Sequence, residues 1–409
     1  MRTTRQRPRP MLRQLTTEID HLPAARVFVG LAIPGLLLIA LGRTDLLIYA
    51  VFGSFTGMYG FAEAPRLRMI HQLEASALLV GGVGAGIVFA RLHAPAWLLV
   101  PAVAIFAAVW SPITDRLGLR PEGPFFGIFA FGAIAMVAGG QDDPALALLI
   151  CAAAAGLCVV VGYLDARRRP RGAETPATPS RRTASASLVQ AARYATAIAV
   201  AGGIGLLLGV GHANWAMAGA AVPLVAADRR GGVQRGVHRV VGTFAGLAVT
   251  APLLIPGPSP TVLALAIIAL LYPTELFMAR HYAVALGFFT PLIMLMTELA
   301  DPTDPMTMLG DRAVDTLLGV TVGVAVALLI HNAATPPAVE PTVCEFAHTG
   351  AMTSDNDAWY YCLEHHRAEQ GKNCWVGDRM GPYPDQATAE NALEIAKARN
   401  RIADAQDED

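Results

Sequence analysis

The sequence predicts an all-α polytopic membrane protein with about twelve transmembrane helices, set out as two parallel six-helix repeats and followed by a small α+β C-terminal module. Three observations carry this. First, the chain is 54% hydrophobic and only 15% charged, with mean hydropathy +0.45, whereas a soluble domain carries roughly 25% charge. The apolar residues come in nearly charge-free blocks of about 16 to 23 residues, close to the helix length that crosses roughly 30 Å of hydrocarbon. Helix is the expected form because lipid offers backbone groups no partner and no barrel-like alternation appears. Second, arginines collect in every other loop. Third, the two halves share landmarks at matching positions.

In chain order, residues 1–22 form an Arg-rich polar stretch, expected as a cytoplasmic tail rather than a removed leader. Six spans are predicted near 25–42, 46–62, 71–91, 95–112, 123–140 and 144–164, making a first repeat over 23–164. An Arg/Pro/Ser/Thr-rich linker covers 165–187. Six more spans, near 188–209, 213–227, 237–255, 260–278, 282–298 and 310–331, make a second repeat over 188–331. With the N-terminus inside, the inner loops and tail hold roughly twenty arginines against Arg43 and Arg91 outside, a bias that sets orientation. Both termini are therefore expected in the cytosol of a bacterium, with the spans in its plasma (inner) membrane. The repeat shows in Ala24-Ala25-Arg26 and Ala191-Ala192-Arg193, which open spans one and seven, and in Gly42 and Gly209, which close them. An even number of spans per half gives parallel repeats, with the transport pathway expected between them. Residues 332–351 are a second linker, and 352–409 change character: they are polar, aromatic and hold both lysines, Lys372 and Lys397.

Net charge is -1, and the Arg clusters adjoin spans, so lipid is the expected partner and nucleic acid is not. Cys151 and Cys158 fall inside a span and read as small packing residues. No Walker A loop, Rossmann fingerprint or zinc-protease motif occurs, and no nucleophile–base set assembles, so an enzyme is not expected.

Four pieces of the second half occur in a recognisable order: Trp215 with its apolar span; Arg235-x-x-x-Arg239 leading into Gly242-Thr243-x-x-Gly246; Arg280-His281-Tyr282-Ala283 with Thr290-Pro291; and Arg312-x-x-Asp315-x-x-x-Gly319. Across about 188–331 they resemble the fusaric-acid-resistance-like (FUSC) family, which groups with the aromatic acid exporters. The first half matches more loosely, through Tyr49–Gly60 and Gly123-Pro124. The resemblance implies efflux of small, often aromatic, organic acids or related toxic compounds, and with it proton coupling. The alternatives are an anion channel, like the plant malate channels the family resembles, and a non-transporting envelope scaffold.

Candidate pathway residues follow from charge placed in or beside spans, where it is costly and functional by default. Arg312 and Asp315 share a helix face and are spaced to pair, with Asp311 one turn before. Arg26 and Arg193 occupy matching inner positions, as snorkelling anchors or as the lining of an anion vestibule. Glu275, Arg280, His281 and Tyr282 surround a short inner turn, where Glu275 is spaced to pair with Arg280 or carry a proton and His281 to titrate near neutrality. Trp215 and Arg239 complete the set, and Glu74 is a further buried-carboxylate candidate. Pro34, Pro101, Pro223, Pro252 and Pro291 are expected to kink their spans, and Gly81, Gly82, Gly84 and Gly86 to let helices approach.

In the tail, Trp359–Cys362 reads as a strand and 386–403 as a helix with Asp385 as its N-cap. Gly381-Pro382-Tyr383 before that helix resembles very small SPOR-like proteins. Cys362, His365, His366 and Cys374 have ligand types and local spacing for one zinc ion, against the alternative of plain thiols and surface histidines; no other cofactor is expected.

Overall fold

A computed structural model describes residues 21–330 and 359–392, apart from 61–62, 138–142, 169–182, 210, 227, 279, 364, 366, 372–378 and 384. It divides into two compact units, 1–338 and 339–409. The Arg-rich tail before residue 21, most of the linker 165–187 and all of 332–351 lie outside the described residues.

The described part of the first unit is all helix. Its twelve α-helices are α1 His21–Ala40, α2 Leu47–Ser54, α3 Pro65–Arg91, α4 Ala96–Leu117, α5 Phe125–Val137, α6 Pro144–Arg168, α7 Ala184–Leu207, α8 Ala213–Ala221, α9 Arg229–Leu254, α10 Pro260–Met278, α11 Tyr282–Ala300 and α12 Pro305–Leu329. Eight of them (α1, α3, α4, α6 and α9 to α12) are long and apolar enough to cross a membrane. The all-α polytopic class read from the sequence stands, and each expected span overlaps a helix, although α9 starts eight residues before the expected 237, and α2 and α8 end eight and six residues before the expected 62 and 227.

The helices α2 and α8 differ from the others. They have 8 and 9 residues, about 12 to 14 Å of rise, and each is continued by a 3-10 turn, Phe55–Met58 and Pro223–Val225. Pro223 lacks an N–H and cannot extend the α-helical ladder, so α8 stops there. Every residue of both helices is buried. Broken backbone at membrane depth is tolerated where protein, not lipid, covers it, and here α6 covers α2 while α7 and α12 cover α8.

The helix contacts repeat across the two halves. In the first, α1 packs on α2 and α6, α2 on α6, α3 on α5 and α6, and α4 on α5. In the second, α7 packs on α8 and α12, α8 on α12, α9 on α11 and α12, and α10 on α11. Between halves, α4 meets α7 as α10 meets α1, and α5 meets α8 as α11 meets α2. Exchanging the halves maps this set onto itself, the pattern of an approximate two-fold relation. The same interval of 167 residues separates Arg26 from Arg193, Gly42 from Gly209 and Pro124 from Pro291. Gly42 and Gly209 both end their helices in the left-handed region, at φ 68° and 70°, where glycine escapes the Cβ penalty.

Small residues set the closest approaches. A Cβ on Gly242 would lie 2.4 Å from the Ala283 carbonyl oxygen, and one on Gly246 would lie 2.6 Å from Thr290 Cβ. The Gly-Thr-x-x-Gly run is thus the seat of α11 on α9. Gly319 and Gly323 seat α8 on α12 in the same way: a Cβ on either would lie 2.4 Å from a backbone oxygen, of Ala216 and Ala220 respectively. Of the four glycines in α3, Gly82 and Gly86 seat α5, whereas Gly81 and Gly84 have room for a side chain. Gly319→Ala is expected to destabilise the detergent-purified protein by about 1–3 kcal/mol through overpacking. Gly310→Ala on the same helix, with open space around it, should leave the melting temperature unchanged or slightly raised; equal melting of the two variants would refute this packing argument.

Helix starts are capped as their sequences direct. Thr183 accepts from Ala186 N, Asp228 from Gly231 N and Asp304 from Thr307 N. The Thr307 backbone N–H and hydroxyl hold the Asp304 carboxyl below its usual range. Its stabilising effect on α12 is therefore full above the ordinary carboxylate pKa and fades as pH falls through the depressed value.

The second unit is a three-stranded antiparallel sheet, β1 Trp359–Cys362, β2 Arg367–Gln370 and β3 Arg379–Tyr383, in the order β2-β1-β3. A short helix, α13 Gln386–Glu390, follows, with Asp385 accepting from Thr388 N as its N-cap. Ala389 of this helix and Ala392 just after it are buried. The remainder of the helix expected over 386–403 lies outside the described residues beyond 392.

Candidate functional site

The two broken helices end at a common place. A cavity of about 370 Å³ opens where the turn after α2 (Met58) and the turn after α8 (Val222, Val225) meet the starts of α5 and α11. Its wall is apolar and aromatic, with Phe125 and Phe126 from α5 and Phe289 from α11. Its charge comes from Arg235 and Arg239, one turn apart on α9, from Glu275 on α10, and from Arg120 and Glu122 in the turn before α5. The Tyr282 side chain closes one side.

Arg239 is the deepest of these cations, at 2% exposure. Its guanidinium sits over the Phe125 ring, 5.8 Å from the centroid. Among the described residues no ion pair holds it, and its Nε has no hydrogen-bond partner. Glu275 turns Oε1 into the same interior, also without a hydrogen-bond partner. No ion pair joins Glu275 to Arg280 among the described residues; Arg280 is exposed, and His281 N-caps α11 with its ring 6.3 Å from that of Phe277.

A second charged cluster lies towards the other end of the helices. Arg312 is 1% exposed and Asp315 0%. All three guanidinium nitrogens of Arg312 and both Asp315 oxygens are buried without hydrogen-bond partners. The pairing expected from their spacing does not form; Arg312 instead lies over Trp215, 5.0 Å from the ring centroid, and His212 stacks on the same indole at 4.2 Å. Asp311 pins the loop before α8, accepting from Gly211 N at 3.2 Å and contacting His212 Nδ1 at 3.4 Å. Arg239, Asp315 and Tyr282 are all within electrostatic range of Arg312. Counting back 167 residues from Arg239, Arg312 and Asp315 gives Gln72, Ala145 and Leu148. The scaffold is doubled, but these charges belong to the second half alone.

The matched pair Arg26 and Arg193 ties elements together. Arg26 donates to Asp165 at 2.6 Å, joining α1 to α6, and Arg68 approaches the same carboxylate at 3.4 Å. Arg193 donates to Gln190, whose amide holds the Leu224 carbonyl after α8. Asp165→Asn would remove the negative charge that both guanidinia approach and is expected to cost about 2 kcal/mol, less than a fully buried pair because Asp165 keeps some water and Arg68 also donates to the Gly60 carbonyl. Transport per folded molecule should persist; a melting temperature equal to wild type would count against the role assigned to this carboxylate. Glu74 keeps one oxygen buried without a hydrogen-bond partner, beside the His71–Glu63 contact of 2.7 Å. Cys151 and Cys158 are buried free thiols packed among the helices.

The sequence reading named Arg239, Glu275 and Tyr282 but missed the aromatic wall and the Arg120–Glu122 turn. The missed signal is Arg120-Pro-Glu-Gly-Pro-Phe-Phe, a charged turn running directly into aromatic residues at the same end as the basic turn. Of the expected zinc ligands, Cys362 and His365 are described, whereas His366 and Cys374 lie outside the described residues.

Residues 198–326 match the fusaric acid resistance protein-like family. The matched stretch runs from within α7 almost to the end of α12 and contains Arg239, Glu275, Tyr282, Trp215, Arg312 and Asp315. The family is one of membrane transport and efflux, and the many apolar helices accord with a multi-pass membrane protein acting on a small molecule. Comparison with curated proteins and with solved structures gives no match.

Proposed function

We propose that this FUSC-like chain exports small organic acids, aromatic carboxylic acids foremost, across the bacterial inner membrane by proton-coupled alternating access. The observation that carries the reading is a buried Arg239, held by no ion pair among the described residues, facing an aromatic-walled cavity. Its volume is within the range of about 300 to 1,000 Å³ usual for small-ligand sites. A carboxylate entering at Arg235 would bind Arg239 through charge-assisted hydrogen bonds, with its ring against Phe125, Phe126 and Phe289. Glu275 faces the same space, placed to exchange the coupling proton against the bound anion. The Arg312–Asp315 cluster is the next polar stop towards the far side. The Arg-rich loops at the cavity end support a cytosolic placement of that end, by which substrate would enter from inside.

The test uses inverted membrane vesicles with an imposed pH gradient and a panel of labelled aromatic and aliphatic carboxylates. Gradient-dependent accumulation of the aromatic acids, collapsed by an uncoupler, is expected. Accumulation indifferent to the uncoupler would remove the proton step. Currents reversing at the anion's equilibrium potential would replace the exporter with a channel.

A further inference from the structure

We propose that the β1–β2 hairpin of the C-terminal unit binds one zinc-type transition-metal ion through Cys362 Sγ, His365 Nδ1 and a Glu369 carboxylate oxygen. Cys362 closes β1, and His365 stands in the turn three residues on. The strand register pairs Cys362 with Arg367 and Tyr360 with Glu369. Residues directly opposite, and those two apart along a strand, share a face of a sheet. Cys362 and Glu369 are therefore diagonal neighbours on one face, with the turn histidine between them.

The ligand atoms already converge. All three lie within 4.8 Å of one another, and His365 Nδ1 is 3.1 Å from Glu369 Oε1. Zinc binds sulfur at about 2.3 Å and nitrogen or oxygen at about 2.0–2.2 Å. At near-tetrahedral angles that puts neighbouring ligand atoms roughly 3.2–3.6 Å apart, so the hairpin needs little movement to close on an ion. The supporting contacts suit such a centre. The His365 backbone N–H donates to Cys362 Sγ at 3.4 Å, which fixes the sulfur against the turn that carries the histidine. Arg367 Nε donates to Glu369 Oε1 at 2.9 Å, and outer partners of this kind orient a ligating carboxylate.

The donor set selects the ion. A thiolate, an imidazole and one carboxylate suit zinc, cobalt or nickel, whereas magnesium and calcium take oxygen ligands. Three protein ligands leave a fourth position for water. The unit also has reason to need a clip. Its described buried side chains are few: Tyr360, Tyr361, Cys362, Ala389 and Ala392. Domains this small commonly lean on a metal or a disulfide.

The experiment titrates the detergent-purified full chain with cobalt(II) as a spectroscopic stand-in. One ion per chain is expected, with a thiolate-to-cobalt charge-transfer band and the visible absorption of a four-coordinate ion. Cys362→Ser should abolish the charge-transfer band, and the isosteric Glu369→Gln should weaken cobalt binding at least ~10-fold. The double variant Cys151→Ser/Cys158→Ser, in the membrane unit, should keep both. Absence of the band in the wild type, its survival in Cys362→Ser, or unchanged affinity in Glu369→Gln would each overturn the site and leave His365–Glu369 as a plain ion pair.

Discussion

Arg239→Gln is expected to cut export of an aromatic carboxylate by ~10- to 100-fold while the protein stays folded. A hydrogen bond to a charged group is worth about 1.5–3 kcal/mol, and each 1.4 kcal/mol is about tenfold in binding. Folding should survive because no ion pair holds Arg239 among the described residues, so the change strands no buried anion. Removing a poorly compensated buried charge also relieves its desolvation, and the melting temperature should hold or rise. Arg239→Lys keeps the charge but loses the planar fork that grips both carboxylate oxygens, so intermediate export is expected. Initial rates in inverted vesicles, normalised to folded protein, make the comparison. Wild-type rates in Arg239→Gln would remove the cavity from the transport path.

The helix count was legible because lipid forces it: a chain that must satisfy its backbone internally advertises each crossing as an apolar block. What hydropathy does not report is whether the neighbour of an apolar segment is lipid or protein. Leu47–Met58 and Ala213–Val225 are as apolar as real spans, yet both are short and broken, and every residue of their α-helical parts is buried. Pro223 marked one break; nothing comparable marks the other. The Gly242-Thr243-x-x-Gly246 run was visible as a motif, but its meaning, a seat for α11, needed the partner helix. The site was legible residue by residue and not as a place. Glu275 and Tyr282 each suited an interfacial belt, and only the packing of α10 and α11 beside α9 brings them to Arg239. Local spacing misled at Arg312 and Asp315: three residues apart gives a shared helix face, but the guanidinium reaches across to Trp215 instead.

That displaced pair supplies the sharper test of how the interior works. Arg312→Met should cut export by at least ~10-fold. Methionine keeps the length and the contact with Trp215, and no hydrogen bond is broken, but the single change leaves Asp315 as an uncompensated buried charge and lowers stability. Asp315→Asn, isosteric and uncharged, should also lose the transport step. Replacing both charges together by uncharged residues of similar volume is often neutral or stabilising by about 1–4 kcal/mol, so the double variant should recover the melting temperature of wild type or exceed it. If the two residues act on one translocation step, Arg312→Met/Asp315→Asn will be no worse than either single variant, since acting as a unit makes losses non-additive. A purely structural cluster predicts the reverse: lower melting temperatures that add, with transport per folded molecule intact. Two charges kept in a low-dielectric interior without a hydrogen-bond partner weaken the fold that holds them. Retaining them is explicable when another state of the transporter, or its substrate, supplies the missing partners, and the stability and transport readings together decide whether that is so.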